Sequence, residues 1–470
     1  FSICPEGYCC AVGEDCEWNF CAGSRTGLLC GQCREGFSEG LLNTQCVSDE
    51  RCDAIAWLIP VTVLGSALVS IGAMVWMTWS LRKGRTVGDG AEITLLVFFF
   101  QIEPLLLSRA TLEKQWVVTL AIFSLFNVRL TTDATGGGPT LCLQPGVDAV
   151  GKEAAAYFVP GLIMAWVGAF AIVALVAAII RRPDRGRRIM RDGRPTSHVV
   201  DYLAGPLSAV LLVLSLCYSS LLKTTFELIN CVFVGDTSVL FIQGDVVCFT
   251  GWQKALMGCM LPALFLFPVV LSLAATWASK EHRATSRLAQ GIRLVLVAPY
   301  RVECRQYVEA AMMIARLTFA ATSTFIQQRL VRAFILGIVC ILCLTVHVLV
   351  RPFRRRQLHS YGTVLLSLLC AISMWEALLA IIYTSQGNPR MISDTNIVAG
   401  ATMVAVVTVL PPLLLLLAIA VRVTLARRKQ DKEPQHPSLD ETDTLEITCE
   451  PVDRVQLSVM GGDQEDSAFC

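Results

Sequence analysis

The dominant pattern along this chain is a series of long uncharged apolar runs set between short polar, basic or cysteine-rich segments. The first run, Ala54 to Trp79, carries no charge over 26 residues. As a helix it would measure about 39 Å, enough to cross a hydrocarbon core of roughly 30 Å with some tilt. Similar runs follow at Ala91 to Ser108, Ala155 to Ile180, Val199 to Leu222, Ala255 to Ala278, Tyr307 to Ile326, Val331 to Val350, Tyr361 to Tyr383 and Ile397 to Val421. The pattern predicts an all-α polytopic membrane bundle of about nine transmembrane helices. A further apolar segment, Trp116 to Leu130, has only 15 residues. It would reach about 22 Å as a helix and is expected to lie in the interface or to re-enter from one side.

Charge decides the number and direction of the spans. With nine spans and the first loop cytoplasmic, the cytoplasmic pieces hold 25 Lys plus Arg, and the external connections after the first helix hold nine. A tenth span at Trp116 to Leu130 would carry the basic loops Arg181 to Arg188 and Arg351 to Arg356 outside, against the positive-inside bias. The expected topology is therefore N-terminus outside and C-terminus in the cytoplasm, in an integral membrane protein of the plasma membrane. Residues 426–470, rich in Asp, Glu, Gln, Ser and Thr without apolar periodicity, read as a disordered cytoplasmic tail.

Composition agrees with the bilayer as the main partner. The chain is 54% hydrophobic and 16% charged, with a mean hydropathy of +0.58, so it lacks the polar residues to cover its apolar side chains in water. The net charge of +1 offers no nucleic-acid-binding signature, and nucleic acid is not an expected partner. Nine of the twenty cysteines fall in residues 1–53: Cys4, Cys9, Cys10, Cys16, Cys21, Cys30, Cys33, Cys46 and Cys52. That density implies an oxidising compartment and a small module in which disulfides substitute for a core. Cys142, Cys231 and Cys248 fall in loops that the topology also places outside. Cys231 and Cys248 read as a pair. The odd cysteine of the module pairs either with Cys142 or, in the form of Cys4, with a segment upstream. The chain starts at Phe1 directly on the cysteine-rich segment, which suggests a longer product whose upstream region binds an extracellular ligand.

The CGQC string at Cys30 to Cys33 reads as structural disulfides. No histidine occurs in the first 53 residues to complete a zinc site, and no βαβ pattern surrounds the string as in a redox dithiol. No Walker, HExxH or GxSxG motif is present, and the five histidines are scattered, so neither an enzymatic function, a cofactor nor a metal centre is expected. Four ionisable residues fall inside predicted spans and require an explanation: Glu103, Glu309, Arg316 and Glu376. Glu309 and Arg316, seven residues apart, share one helix face. They either line an ion path or gate, or form a buried structural pair, or Glu309 sits in the cytoplasmic interface. Gln101 adds a polar group beside Glu103, and Pro104, Pro160, Pro206, Pro262 and Pro268 are expected to bend their helices.

Three stretches carry a family resemblance: Leu216 to Lys223 with Phe226 to Cys231 and Asp245 to Trp252; Ala298-Pro299-Tyr300-Arg301 with the helix of Glu309 and Arg316; and Arg351-Pro352-Phe353. In order and spacing these resemble the transmembrane region of TRP-like proteins, the group related to polycystin-type and flavin-carrier membrane proteins. The segment Arg25 to Ser38 resembles laminin-type and other EGF-like modules. The chain departs from the TRP-like pattern at Ser219, where proline is usual, and at Arg316-Leu317, where an Arg-Lys pair is usual. The resemblance implies a cation channel or channel-derived sensor, possible as a homo-oligomer, coupled to an extracellular region. The alternative is a non-conducting receptor or adhesion protein that signals through its basic loops and tail.

Overall fold

A computed structural model describes residues 5, 8–9, 21–40, 44–52, 58–83, 90–107, 142, 144–180, 198–279, 287–297, 300–301 and 303–386. Cys4, Cys10, Cys16, the segment Trp116 to Leu130, the ninth apolar run Ile397 to Val421 and residues 426–470 lie outside the described residues.

The N-terminal module consists of very short elements. Strand β1 (Arg25–Thr26) pairs antiparallel with β2 (Gln32–Cys33), and β3 (Phe37–Glu39) with β4 (Cys46–Ser48), which leads into one turn of helix, α1 (Asp49–Cys52). Ladders of two or three residues cannot hold themselves in water. Disulfides Cys21–Cys30 and Cys33–Cys46 staple them, and Cys9 is disulfide-bonded too. Beside a small apolar cluster of Val47, Cys52 and Cys142 the module buries Arg25, 1% exposed. Its guanidinium lies 3.6 Å from the centre of the Tyr8 ring, pairs with Glu39 at 2.5 Å and donates to the carbonyls of Thr44 and Cys30.

Helices then follow in order: α2 (Leu58–Lys83), α3 (Gly90–Leu106), α4 (Ala149–Ala155), α5 (Phe158–Ile180), α6 (His198–Ile229), α7 (Gly251–Ser279), α8 (Arg287–Leu296), α9 (Val308–Phe325), α10 (Arg329–Val350) and α11 (Arg356–Gln386). A helix therefore occupies each of the first eight apolar runs. Five helical stretches among the described residues are long and apolar enough to cross a membrane: Ala149–Val173, Ala204–Ile229, Gly251–Ser279, Arg329–Val350 and Arg356–Ile382. Pro60–Gly72 and Thr94–Leu106 are shorter apolar stretches.

Helix α6 is the centre of the bundle. It packs against α2, α5, α7, α8 and α9, and most of its apolar stretch is buried. Ile163 and Val167 of α5 close on Ala209, Val213 and Cys217 of α6. Helices α7 and α10 instead present leucine, isoleucine, valine and phenylalanine outward, including Phe265, Leu266, Leu273, Phe334, Leu342 and Leu349. Such outer faces suit hydrocarbon, not water.

Helix α6 runs on to Ile229, beyond the predicted Leu222, and delivers the chain to a three-stranded antiparallel sheet, β5 (Cys231–Val234), β6 (Thr237–Leu240) and β7 (Gln243–Val247). The Cys231–Cys248 disulfide closes it. The sheet, α4 and the N-terminal module form one disulfide-bearing end of the molecule. Cys52 is bonded to Cys142, the Glu39 N–H donates to the Val147 carbonyl at 3.0 Å, and Lys152 lies 3.8 Å from the Glu39 carboxylate. Gln243 of β7 donates to Asp148 and accepts from the Val150 N–H. Two glycines permit the closest approach. A Cβ on Gly31 would stand 2.7 Å from the Gln243 Cα, and one on Gly244 would collide with the Leu28 carbonyl oxygen. The module is therefore docked on the bundle by backbone contact and by a covalent bond.

Candidate functional site

A line of buried polar groups crosses the packed helices around α6. In α3, Gln101 and Glu103 are fully buried. An amide without partners in an apolar interior would cost several kcal/mol at roughly 2–7. Gln101 avoids this by donating to the Leu216 carbonyl and accepting from the Ser219 hydroxyl at 3.0 Å. The preceding carbonyl of α6, Ser215, accepts Nη1 of Arg316 at 2.6 Å. A helical carbonyl keeps a second lone pair after its i+4 bond. Two successive carbonyls of α6 thus brace α3 on one side and α9 on the other. The Tyr218 hydroxyl extends the brace to α7, donating to the Leu264 carbonyl at 2.9 Å.

Arg316 is 1% exposed. Its guanidinium carbon lies 5.4 Å from the centre of the Phe98 ring and Nη1 lies 3.8 Å from the Met313 sulfur. Among the described residues no carboxylate comes within ion-pair distance of it. Glu309 lies two turns away in the first turn of α9 and is also buried. It accepts instead from the Tyr300 hydroxyl at 2.7 Å. The two residues share a buried face, as their spacing predicts, yet each has a separate partner. Glu376 of α11 is buried, with Arg329 of α10 3.8 Å away.

Tyr300 connects this line to the end of the bundle opposite the disulfides. It forms an antiparallel bridge with Phe353, ring centres 5.4 Å apart, and the Arg301 N–H donates to the Pro352 carbonyl at 2.8 Å. The Arg301 Nε donates to the Phe353 carbonyl. His347 packs against Phe353 and stacks on His359 at 4.8 Å, with Nε2 3.2 Å from the His359 carbonyl. Burial holds the Tyr300 hydroxyl well above the usual phenol range, and the Glu309 carboxylate beside it pushes the same way. Tyr300 therefore stays a neutral donor. The Tyr300-Arg301 and Arg351-Pro352-Phe353 stretches, some fifty residues apart, meet here as a latch.

Among the described residues one group of metal-type donors converges, Cys33, Glu39 and Cys46. The two sulfurs are bonded to each other and Glu39 is paired with Arg25, so the group presents no open ligand set. Cys9, Cys21, Cys30, Cys33, Cys46, Cys52, Cys142, Cys231 and Cys248 are all disulfide-bonded. The α6 carbonyls and the meeting of the two loop stretches escape sequence reasoning, because backbone acceptors leave no residue signature.

Comparison with known proteins found no matching family model, no matching curated protein and no matching solved structure.

Proposed function

We propose that this chain is a TRP-like integral membrane protein, a cation channel or channel-derived sensor, in which an EGF-like extracellular module acts on a nine-helix bundle. The observation that carries the reading is Arg316, a guanidinium buried in the helix interior and held by the Ser215 carbonyl. Intramembrane charge is expensive, and it is kept where a charge must be sensed, moved or countered. In this reading the helices at the first eight apolar runs, five of them within stretches long and apolar enough to cross a membrane, and the run Ile397 to Val421 would be the nine spans, with the N-terminus outside the plasma membrane and the C-terminus inside.

Two features support that topology. The disulfides gather at one end, and the arginines of the two joined loops lie at the other. Because the Cys52–Cys142 bond and the β7 contact fasten the module to the bundle, a ligand or force on the module would act directly on the helices. The partners in this reading are the lipid bilayer, an extracellular ligand, cations and, where the path lies on a shared axis, further copies of the chain.

A second reading, a non-conducting receptor or adhesion protein, is favoured by the way Gln101, Glu309 and Arg316 all engage neighbouring groups as a structural brace would. Cation flux into liposomes containing the purified chain separates the two. Flux that falls on Arg316→Gln and Glu309→Gln supports the channel, and vesicles that stay tight under tension, calcium and lipid challenge support the receptor.

A further inference from the structure

Two disulfides of the N-terminal module touch. Cys9 is bonded to a cysteine outside the described residues, since every other described half-cystine has its partner among them. Its Sγ lies 3.4 Å from the Sγ of Cys30, which is bonded to Cys21. Backbone contacts fix this arrangement: Cys9 and Cys21 form an antiparallel bridge, and the Ala22 N–H donates to the Tyr8 carbonyl at 2.8 Å. Cys9 and Cys21 are half-buried, whereas Cys30 is buried. Leu29 and Cys30 have left-handed backbone, at φ +56° and +55°, a conformation that side chains resist and that persists only where the surroundings impose it. The loop closed by the Cys21–Cys30 bond carries Arg25, the buried cation of the module, and Leu28, whose carbonyl oxygen abuts Gly244 of β7.

We propose that Cys9 and the Cys21–Cys30 bond form a thiol–disulfide exchange site, entered by a small external thiol. The external thiolate attacks the sulfur bonded to Cys9, forms a mixed disulfide with it and expels Cys9 as a thiolate. The Cys9 thiolate then attacks Cys30. The Cys9–Cys30 bond forms, the Cys21–Cys30 bond breaks, and Cys21 leaves as a thiolate that takes up a proton. Each step exchanges one disulfide for another, so no oxidant is required. Sulfurs 3.4 Å apart stand at near-attack distance, and the new bond, at about 2.0 Å, needs a closure of only about 1.4 Å. Arg25 lies over the Tyr8 ring, next to Cys9 in sequence, and donates to the Cys30 carbonyl. It shares Glu39 with Lys152, so these three side chains keep one positive charge. A cation nearby favours a departing thiolate. Opening the loop releases the left-handed residues and frees Leu28 from β7, so exchange loosens the module from the bundle. The proposal rests on the module and its disulfides, not on conduction.

The test treats the purified full chain in detergent with reduced glutathione for increasing times. Samples are quenched with N-ethylmaleimide at mildly acidic pH, and the bonds are mapped by tandem mass spectrometry of unreduced peptides. A Cys9–Cys30 peptide should appear together with alkylated Cys21, about tenfold or more faster than Cys33, Cys46, Cys231 or Cys248 is alkylated. Chymotryptic cleavage after Leu28 or Leu29 should quicken in step with that peptide. Alkylated Cys9 with the Cys21–Cys30 bond intact overturns the exchange. So does alkylation of both Cys21 and Cys30 without a Cys9–Cys30 peptide, opening of all the disulfides at one rate, or no opening before the chain unfolds. Unchanged cleavage while the Cys9–Cys30 peptide accumulates overturns the release of the docked loop.

Discussion

Cys52 and Cys142, 90 residues apart in sequence, are joined by a disulfide that ties the last turn of the N-terminal module to the segment entering α4. The bond closes a loop containing α2 and α3, so it constrains the unfolded chain strongly. Its loss through Cys52→Ser with Cys142→Ser should cost about 2–5 kcal/mol. The check is thermal unfolding in detergent. The wild-type melting temperature should fall on reduction toward that of the double variant, and the variant should respond less to reductant.

The glycine contacts between the module and β7 give a second test. Gly31→Ala places a Cβ against backbone that cannot rotate away, and it should destabilise docking by about 1–3 kcal/mol. Gly65→Ala in α2 meets nothing within 4 Å and should be neutral or slightly stabilising. Limited proteolysis of the module reports the difference as faster cleavage in the first variant alone.

Glu309 and Arg316 have separate partners, which predicts an order of coupling energies. A double-mutant cycle between Tyr300→Phe and Glu309→Gln should give the larger coupling, about 1–3 kcal/mol for a buried charged hydrogen bond. The cycle between Glu309→Gln and Arg316→Gln should give a smaller one. Denaturation of the wild type and the five variants, three single and two double, in mixed micelles measures both, and the reverse order would make a direct Glu309–Arg316 pair the principal contact.

Much of this fold was legible because a membrane span has a strong one-dimensional signature. Ala54 to Trp79 or Val331 to Val350 cannot be anything but long and apolar, and helices stand at both. The shared face of Glu309 and Arg316 followed from their seven-residue spacing, though its burial did not, and the Cys231–Cys248 partnership from isolation in one loop. The sheet β5 to β7 was missed, although its signal was present. Gly235, with φ +61°, and Asp236 form a two-residue hairpin turn between Cys231–Val234 and Thr237–Leu240. Amid long helices that short alternating stretch reads as a polar loop. The amphipathic α8 was overlooked for a similar reason, since its ten residues are too few to register as a span. The choice of Cys52 as partner of Cys142 was not legible, because it depends on how the module docks.

His347 depends on an absent side chain. A Cβ at Gly362 would fall 2.6 Å from the His347 ring. Gly362→Ala should therefore displace the ring from Phe353 and loosen the latch, at a cost of about 1–3 kcal/mol. Amide hydrogen exchange of the turn between α10 and α11 should quicken in that variant while exchange in the disulfide-bearing module stays unchanged.

The central claim is that disulfides and latch lie on opposite sides of a membrane. Cys304, half-buried in the loop that carries Arg301 and Arg305, tests it. A membrane-impermeant maleimide applied to cells expressing the full chain should label Cys304 only after permeabilisation, judged against Cys304→Ser. Labelling of Cys304 on intact cells would contradict the account.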